Sequence, residues 1–289
     1  MIDRAARRSA PIVVVLAAVA VIWYLAAIPL NLSAAQAVAG PGAAPGAVIR
    51  AAWSLDRPLL PAPHQVIGSV FTGLFAEPVT SPRSLIYHAG VTAETAALGF
   101  ALALVFGVAL AVGIVHVRTL DRSLMPWVIA SQTIPVLAIA PMVVVVLGNI
   151  GLTGVLPKAL IAGWLSFFPI TTAMVTGLRA PDRMQLDLMR TYNASGRDVF
   201  AKVRWPASMS FLFAGVKVAA TLALVGAIVA ELPTGAQAGL GARLLAGSYY
   251  GQTLEIWAAL VTAALLTMLA VAAADAAQRV LVARRGGRL

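Results

Sequence analysis

The sequence predicts an all-α integral membrane protein of about six transmembrane helices, with a polar helix-turn-helix loop projecting between the fourth and the fifth. Three observations predict it. Charged residues make up 11% of the 289 and apolar residues 60%, with a mean hydropathy of +0.89. Soluble domains carry roughly 25% charged residues, so this chain has too little polar surface to coat a soluble globule. Six apolar runs are long enough to cross the ~30 Å hydrocarbon core as helices, whose backbone groups are satisfied internally. Finally, six basic and three acidic residues crowd into Arg179 to Arg204, between two of those runs. A stretch so polar must lie in water.

Composition also removes whole classes of chemistry. There is no cysteine, so disulfides and thiolate metal sites are excluded. His64, His88 and His116 are far apart and lack ligand spacing, so no bound metal is expected.

Residues 1–11 form a short basic N-terminal segment, and Ile12 to Leu30 the first span. Arg4, Arg7 and Arg8 followed by an apolar run and "SAAQA" (Ser33 to Ala37) loosely resemble a secretory signal. A signal core is about 7 to 15 residues, however, and this run is long enough to span and be retained. Residues 31–90 form the longest soluble stretch, rich in Ala, Gly and Pro up to Pro63. In "HQVIGSVFTGLF" (His64 to Phe75), Val66, Ile67, Val70, Phe71, Leu74 and Phe75 recur at helical spacing. That pattern predicts an amphipathic helix, either lying on the membrane surface or packed at the periphery.

A five-helix core follows over residues 91–282, with spans near Val91–Val117, Pro126–Leu147, Leu156–Leu178, Met209–Ala230 and Leu254–Val282, and a basic tail over 283–289. Pro135, Pro141 and Pro169 each remove a backbone donor within a span and invite a kink. Kinked spans can shape a cavity, which makes Pro135 and Pro141 candidate residues of a translocation path. Glu231, at the outer end of the fifth span before Pro233, joins them as either a cap or a path-lining residue. Lys217 lies about two turns inside that span and can snorkel to the surface; Glu94 and Asp275 sit near span ends where water is close.

Basic residues set the orientation. With the N-terminus inside, cytoplasmic segments hold Arg4, Arg7, Arg8, Arg118, Arg122, Arg179, Arg183, Arg190, Arg197, Lys202, Arg204, Arg279, Arg284, Arg285 and Arg288. The outside holds only Arg50, Arg57, Arg83, Lys158 and Arg243. This asymmetry satisfies the positive-inside rule and places both termini and the 179–208 loop in the cytoplasm. It also accounts for the net charge of +10 without nucleic acid as a partner.

The loop itself reads as two helices. Pro181 and Asp182 suit a first turn, by fixed φ and by charge against the helix dipole. Met184, Leu188 and Tyr192 recur at i, i+4 and i+8 and form one apolar stripe. Asn193 is among the few non-glycine residues that tolerate the left-handed conformation ending a helix. Ser195 and Asp198 form a capping pattern that starts a second helix, and Trp205-Pro206 is expected to stop it.

"DLMRTYNASGRDVFAKVRWP" (Asp187 to Pro206) resembles the EAA loop of the membrane subunits of ATP-binding-cassette importers. Asp187 stands at the family's glutamate, Leu188 and Met189 at its alanines, Asn193 at its glycine and Pro206 at its proline. Three further segments resemble the nitrate, sulfonate and taurine branch: "LPAPHQVIGSVF" from Leu60, "QTIPVLAIAPMVVVVLG" from Gln132 and "VGAIVAELPTGAQAGLGARL" from Val225. "ELPTGAQAGLGARLLAGSYYGQT", from Glu231, looks most like permeases for small heterocycles such as pyrimidines, thiamine precursors or riboflavin. The resemblance implies a type I importer permease fold in the bacterial inner membrane, forming half of a dimeric channel with an identical or sibling permease. It further implies an external substrate-binding protein and separate ATPase subunits. The ATPase contact would use Met184, Asp187, Leu188, Met189, Tyr192, Asn193, Ala194, Ser195 and Pro206.

No G-x-x-x-x-G-K-[ST] phosphate loop occurs, so no cofactor is expected on this chain and ATP would be used by a partner. A loop that only binds anionic lipid headgroups is the plainer alternative for residues 179–204. An ion-gradient-driven secondary transporter is the main rival from another class, but mid-membrane acidic residues and internal repeats are not visible in the sequence. An intramembrane enzyme fares worse, because no catalytic constellation lies at membrane depth.

Overall fold

Apolar runs of this length fold as long helices because hydrocarbon offers the backbone no other hydrogen-bond partner. The structure is a computed structural model that describes residues 2–232 and 236–284; the side chains of 2–10 and of Arg284 fall outside that description. Arg4, Arg7, Arg8, Pro233, Arg284, Arg285 and Arg288 therefore lie outside the described side chains. The α-helices, in chain order, are α1 (Ile2–Leu30), α2 (Leu32–Ala39), α3 (Pro45–Ala52), α4 (Pro63–Phe71), α5 (Leu85–His116), α6 (Arg118–Ala130) and α7 (Val136–Asn149). They continue with α8 (Val155–Arg179), α9 (Arg183–Thr191), α10 (Gly196–Val199), α11 (Trp205–Glu231), α12 (Leu240–Tyr249) and α13 (Thr253–Arg284). No strand occurs among the described residues.

Five helices are long and apolar enough to cross a membrane, and a sixth crossing arises if α6 and α7 together form one. The third span, Pro126 to Leu147, where Pro135 and Pro141 invite a kink, is bent by 103° between α6 and α7. Pro135 lacks an N–H and sits at the break as the extended N-cap of α7, whereas Pro141 is carried inside that helix. Ser131 and Thr133 hydroxyls donate to the carbonyls of Val128 and Ala130 at 2.7 and 2.8 Å, satisfying acceptors that the broken ladder frees. Pro169 leaves α8 continuous.

The chain packs as two compact units, residues 1–87 with 243–262, and residues 88–242 with 263–289. In the first, Asn31 is 1% exposed and acts as a clamp. Its Nδ2 donates to the carbonyls of Ala52 and Leu60, and its Oδ1 accepts the N–H groups of Leu59 and Leu60. The Ala-, Gly- and Pro-rich stretch before Pro63 thus carries the ordered helices α2 and α3. The helix expected at His64 to Phe75 is α4 with a π-helical turn over Thr72–Ala76. Val66 and Val70 face inward, while Ile67, Phe71 and Phe75 are exposed. In the same unit Arg243 pairs with Glu255; burial, and next the nearby Arg83 charge, push its guanidinium below its ordinary pKa.

In the second unit, α8 runs antiparallel to α11 through three small-residue contacts. Gly177 abuts Ser208 and Phe211, Gly215 abuts Ala173 and Pro169, and Gly226 abuts Ala162 and Leu165. Missing side chains let two backbones approach where lipid gives little hydrophobic drive for association. Gly99 and Gly107 of α5 meet α8 in the same manner, at Ala159–Gly163 and at Phe167–Thr171. Ile114, Ile170, Met174 and Leu178, each at most 1% exposed, form the packed centre.

Candidate functional site

The 179–208 loop is built on one end of this second unit. Asp182, extended at φ −61°, ψ 149°, is the N-cap of α9 and not part of its first turn, and its side chain makes no cap bond. Met184, Leu188 and Tyr192 follow on one face and are 76%, 55% and 77% exposed. Met189 and Ala194 are half-buried. Asn193 has φ 49°, the one positive φ among the described non-glycine residues. The Asn193 N–H donates to Arg190 and the Ala194 N–H to Met189, at 2.8 and 2.9 Å. This 5→2 and 6→1 pair is a Schellman closure, and it turns the chain sharply. Ser195 Oγ then accepts the Asp198 N–H at 3.2 Å and donates to the Asp198 carboxylate at 2.6 Å.

Past this cap the chain departs from its expected course. Trp205-Pro206 does not stop the second helix: α10 passes through a π-helical turn, Phe200–Arg204, directly into α11. The widened turn pairs the Trp205 N–H with the Phe200 carbonyl, which moves the ladder out of register where Pro206 can offer no donor. Residues 196–231 are consequently one continuous 36-residue helix. Its base is pinned. Arg179 pairs with Asp121 at 2.8 Å, Arg204 donates to the Leu178 carbonyl at 3.3 Å, and the Phe200 ring lies against His116 and Trp205. The exposed Asp187–Arg190 pair, at 2.9 Å, adds little stability.

Asp121 begins α6 and Arg179 ends α8, so their ion pair puts both helix ends at the same membrane surface. α8 alone would carry the chain to the opposite side. This arrangement is the one in which the bent α6–α7 pair counts as a sixth candidate span beside the other five.

At the other end of the unit, Glu231 is fully buried. It accepts from the Thr92 hydroxyl at 2.9 and 3.0 Å and from the Gly241 N–H at 2.8 Å. Thr92 Oγ1 in turn accepts the Leu240 N–H, and His88 Nδ1 accepts the Gly239 N–H at 3.0 Å. The His88 proton thus sits on Nε2. Gly239 has φ 121° and its Cα faces the Glu231 carboxylate with no room for a Cβ. Glu231 holds the 239–241 segment against the start of α5. Pro135 is exposed and Pro141 half-buried, and neither belongs to this cluster. Lys217 does not simply snorkel: its amine lies 2.5 Å from the Asp275 carboxylate of α13. Thr92, His88 and this ion pair carried no sequence signal, since their partners are 58 to 151 residues away.

Residues 103–287 match the family of binding-protein-dependent transport system inner membrane components. The chain belongs to that family. The match runs from within α5 through α13, with the pinned loop near its centre. A probable ABC transporter permease of Haemophilus influenzae is 33% identical over 65% of this chain and 75% of its own length. The formylaminopyrimidine transport permease ThiX of Halalkalibacterium halodurans is 32% identical over 63% and 68%. The riboflavin transport system permease RibX of Chloroflexus aurantiacus is 32% identical over 78% and 80%. The protein is thus a multi-pass permease subunit of an ABC importer, and family membership sets aside the secondary-transporter reading.

In this permease Asn193→Gly is expected to retain uptake, because glycine adopts positive φ at no steric cost. Asn193→Val should lower it sharply, since a β-branched residue fits the left-handed region poorly. Uptake by membrane vesicles compares the two; equal activity would mean that the left-handed turn is dispensable.

Proposed function

We propose that this permease forms half of a channel with a second permease, identical or sibling, and that its 179–208 loop docks on a separate ABC ATPase that hydrolyses the ATP. The observation that carries the proposal is the exposed stripe Met184, Leu188 and Tyr192, mounted on a loop whose base is fixed to α5, α6, α8 and α11. A short amphipathic helix presented in this manner suits a groove on a partner. Asp187, Met189, Asn193, Ala194 and Ser195 shape that face, and Pro206 lies where loop becomes span. Because residues 196–231 are one helix, a push at the loop is delivered to α11 as a rigid-body displacement.

The mechanism is alternating access. ATP binding closes the paired ATPases, their motion reaches the spans through the loop, the path opens to an external binding protein, and hydrolysis resets it. The solute is a small organic molecule, and the ThiX and RibX relatives favour a nitrogen heterocycle. Both termini, with residues 1–11 and 283–289, lie in the cytoplasm of a bacterial cell and residues 31–90 lie outside. Pro135, Pro141 and Glu231 belong to the path and its outer end. The basic residues around the loop also meet anionic headgroups.

Sidedness tests the proposal. In the cysteine-free chain, single cysteines at 57 and 243 should react with an impermeant thiol reagent added to intact cells. A cysteine at 118 or 197 should react only after permeabilisation. External labelling at 197 would separate the loop from any cytoplasmic ATPase and overturn the reading.

A further inference from the structure

Lys217 stands 12 residues from the start of α11 and 14 from its end, about 18 and 21 Å along the axis at 1.5 Å per residue. Lys217 is thus about midway along α11, while Asp275 stands 9 residues from the end of α13, about 14 Å; the pair lies inside both spans, displaced toward one end of α13. The Lys217 and Asp275 side chains, joined at 2.5 Å, remain 33% and 37% exposed. The chain's own helices do not enclose them. A charged pair left open at that depth is too costly to face lipid, so water or polar protein must cover it.

The surrounding face of α11 favours water. Ser210, Ala214 and Thr221 stand at −7, −3 and +4 from Lys217, on the same side of the helix, and are exposed or half-buried. This strip of small and hydroxyl side chains is flanked by Val218 and Val225. Roughly 100° around the helix, Val216 and Ala220 line a groove of about 670 Å³ with Phe100, Leu104, Leu266 and Leu269. That second face is wholly different in character, an apolar surface suited to acyl chains. The two faces divide α11 into a lipid side and a polar side.

We infer that Lys217 and Asp275 line the hydrated route through the membrane and contact the solute as it passes, favouring neutral solutes that carry a hydrogen-bond donor beside an acceptor. An ammonium only donates and a carboxylate only accepts. Held together, they present both functions with no net charge, whereas an isolated ion would select by charge. The inference rests on the importer reading and names the solute chemistry it implies.

Two measurements test it. Cysteines placed at Ala214 and Thr221 should react with a charged, water-soluble methanethiosulfonate in membranes, while a cysteine at Val15 of the largely uncovered α1 should not. Unreactive 214 and 221 cysteines that instead cross-link to a second copy would make the face a subunit interface and overturn the inference. In parallel, Lys217→Met, Asp275→Leu and the double variant are compared for membrane level and uptake. The double variant removes both charges of the pair together, leaving only the exposed Arg279 one turn along α13, so it should insert at the wild-type level yet lose uptake by about tenfold or more, the scale of one charge-assisted hydrogen bond. Full uptake by the double variant would show that the two charges serve only each other, and would also overturn it. The labelling stands apart from the source of energy: uptake that needed no ATP would defeat the importer reading and leave the accessibility result in force.

Discussion

Leu188→Asp is expected to leave the permease inserted at its normal level, strip it of its ATPase and abolish uptake. Leu188 is 55% exposed on α9, outside the hydrocarbon, so the fold loses almost nothing when it changes. The complex loses much. Burying one large apolar side chain contributes about 1.5 to 3 kcal/mol, and the aspartate would be buried at the centre of the stripe without a partner. The neighbouring Asp187 already takes up Arg190 at 2.9 Å, leaving no adjacent cation to neutralise a second carboxylate. A combined loss above about 3 kcal/mol is more than a hundredfold in association constant. Co-purification of the ATPase with the tagged permease reads this directly, and undiminished recovery with Leu188→Asp would place the contact elsewhere.

The second large effect is expected from Gly215→Val, which should remove most of the chain from the membrane fraction. A Cβ at position 215 would lie 2.6 Å from Ala173 Cβ and 2.7 Å from the Pro169 carbonyl oxygen. The second of these neighbours is backbone and cannot rotate away. Overpacking typically costs about 1 to 3 kcal/mol, and here the α8–α11 pair must separate along its length, because Gly177 and Gly226 make equally close contacts on either side. Gly215→Ala should be a milder version of the same defect. Membrane levels and detergent-solubilised melting curves measure both; a Gly215→Val chain as abundant and as heat-stable as wild type would mean that the helix pair does not pack this tightly.

What could be read from the sequence follows from range. The apolar runs became α1, α5, α8, α11 and α13 because a span is a local property of about 20 residues. The turn at Asn193 and the cap at Ser195 were legible for the same reason, as each closes within four or five residues. Trp205-Pro206 misled because proline's local preference to end a helix was overridden by a π turn that absorbs its missing donor. The 103° bend at Pro135 exceeds what a proline alone announces, and it rests on the Ser131 and Thr133 hydroxyls as well. The Asn31 clamp, the Glu231 cluster and the Lys217–Asp275 pair were invisible. Each joins residues remote in sequence, and an isolated polar residue in a span carries no mark of its partner.

The central claim is that ATP hydrolysed by a docked partner drives this permease through the 179–208 loop. It is tested most directly by solute uptake into vesicles reconstituted with the permease, its ATPase and its binding protein, comparing wild type with Leu188→Asp. Wild-type uptake should require ATP on the loop side, survive collapse of the proton gradient while ATP is supplied, and vanish in Leu188→Asp. Uptake that persists without ATP, follows an imposed ion gradient and is indifferent to Leu188→Asp would contradict it.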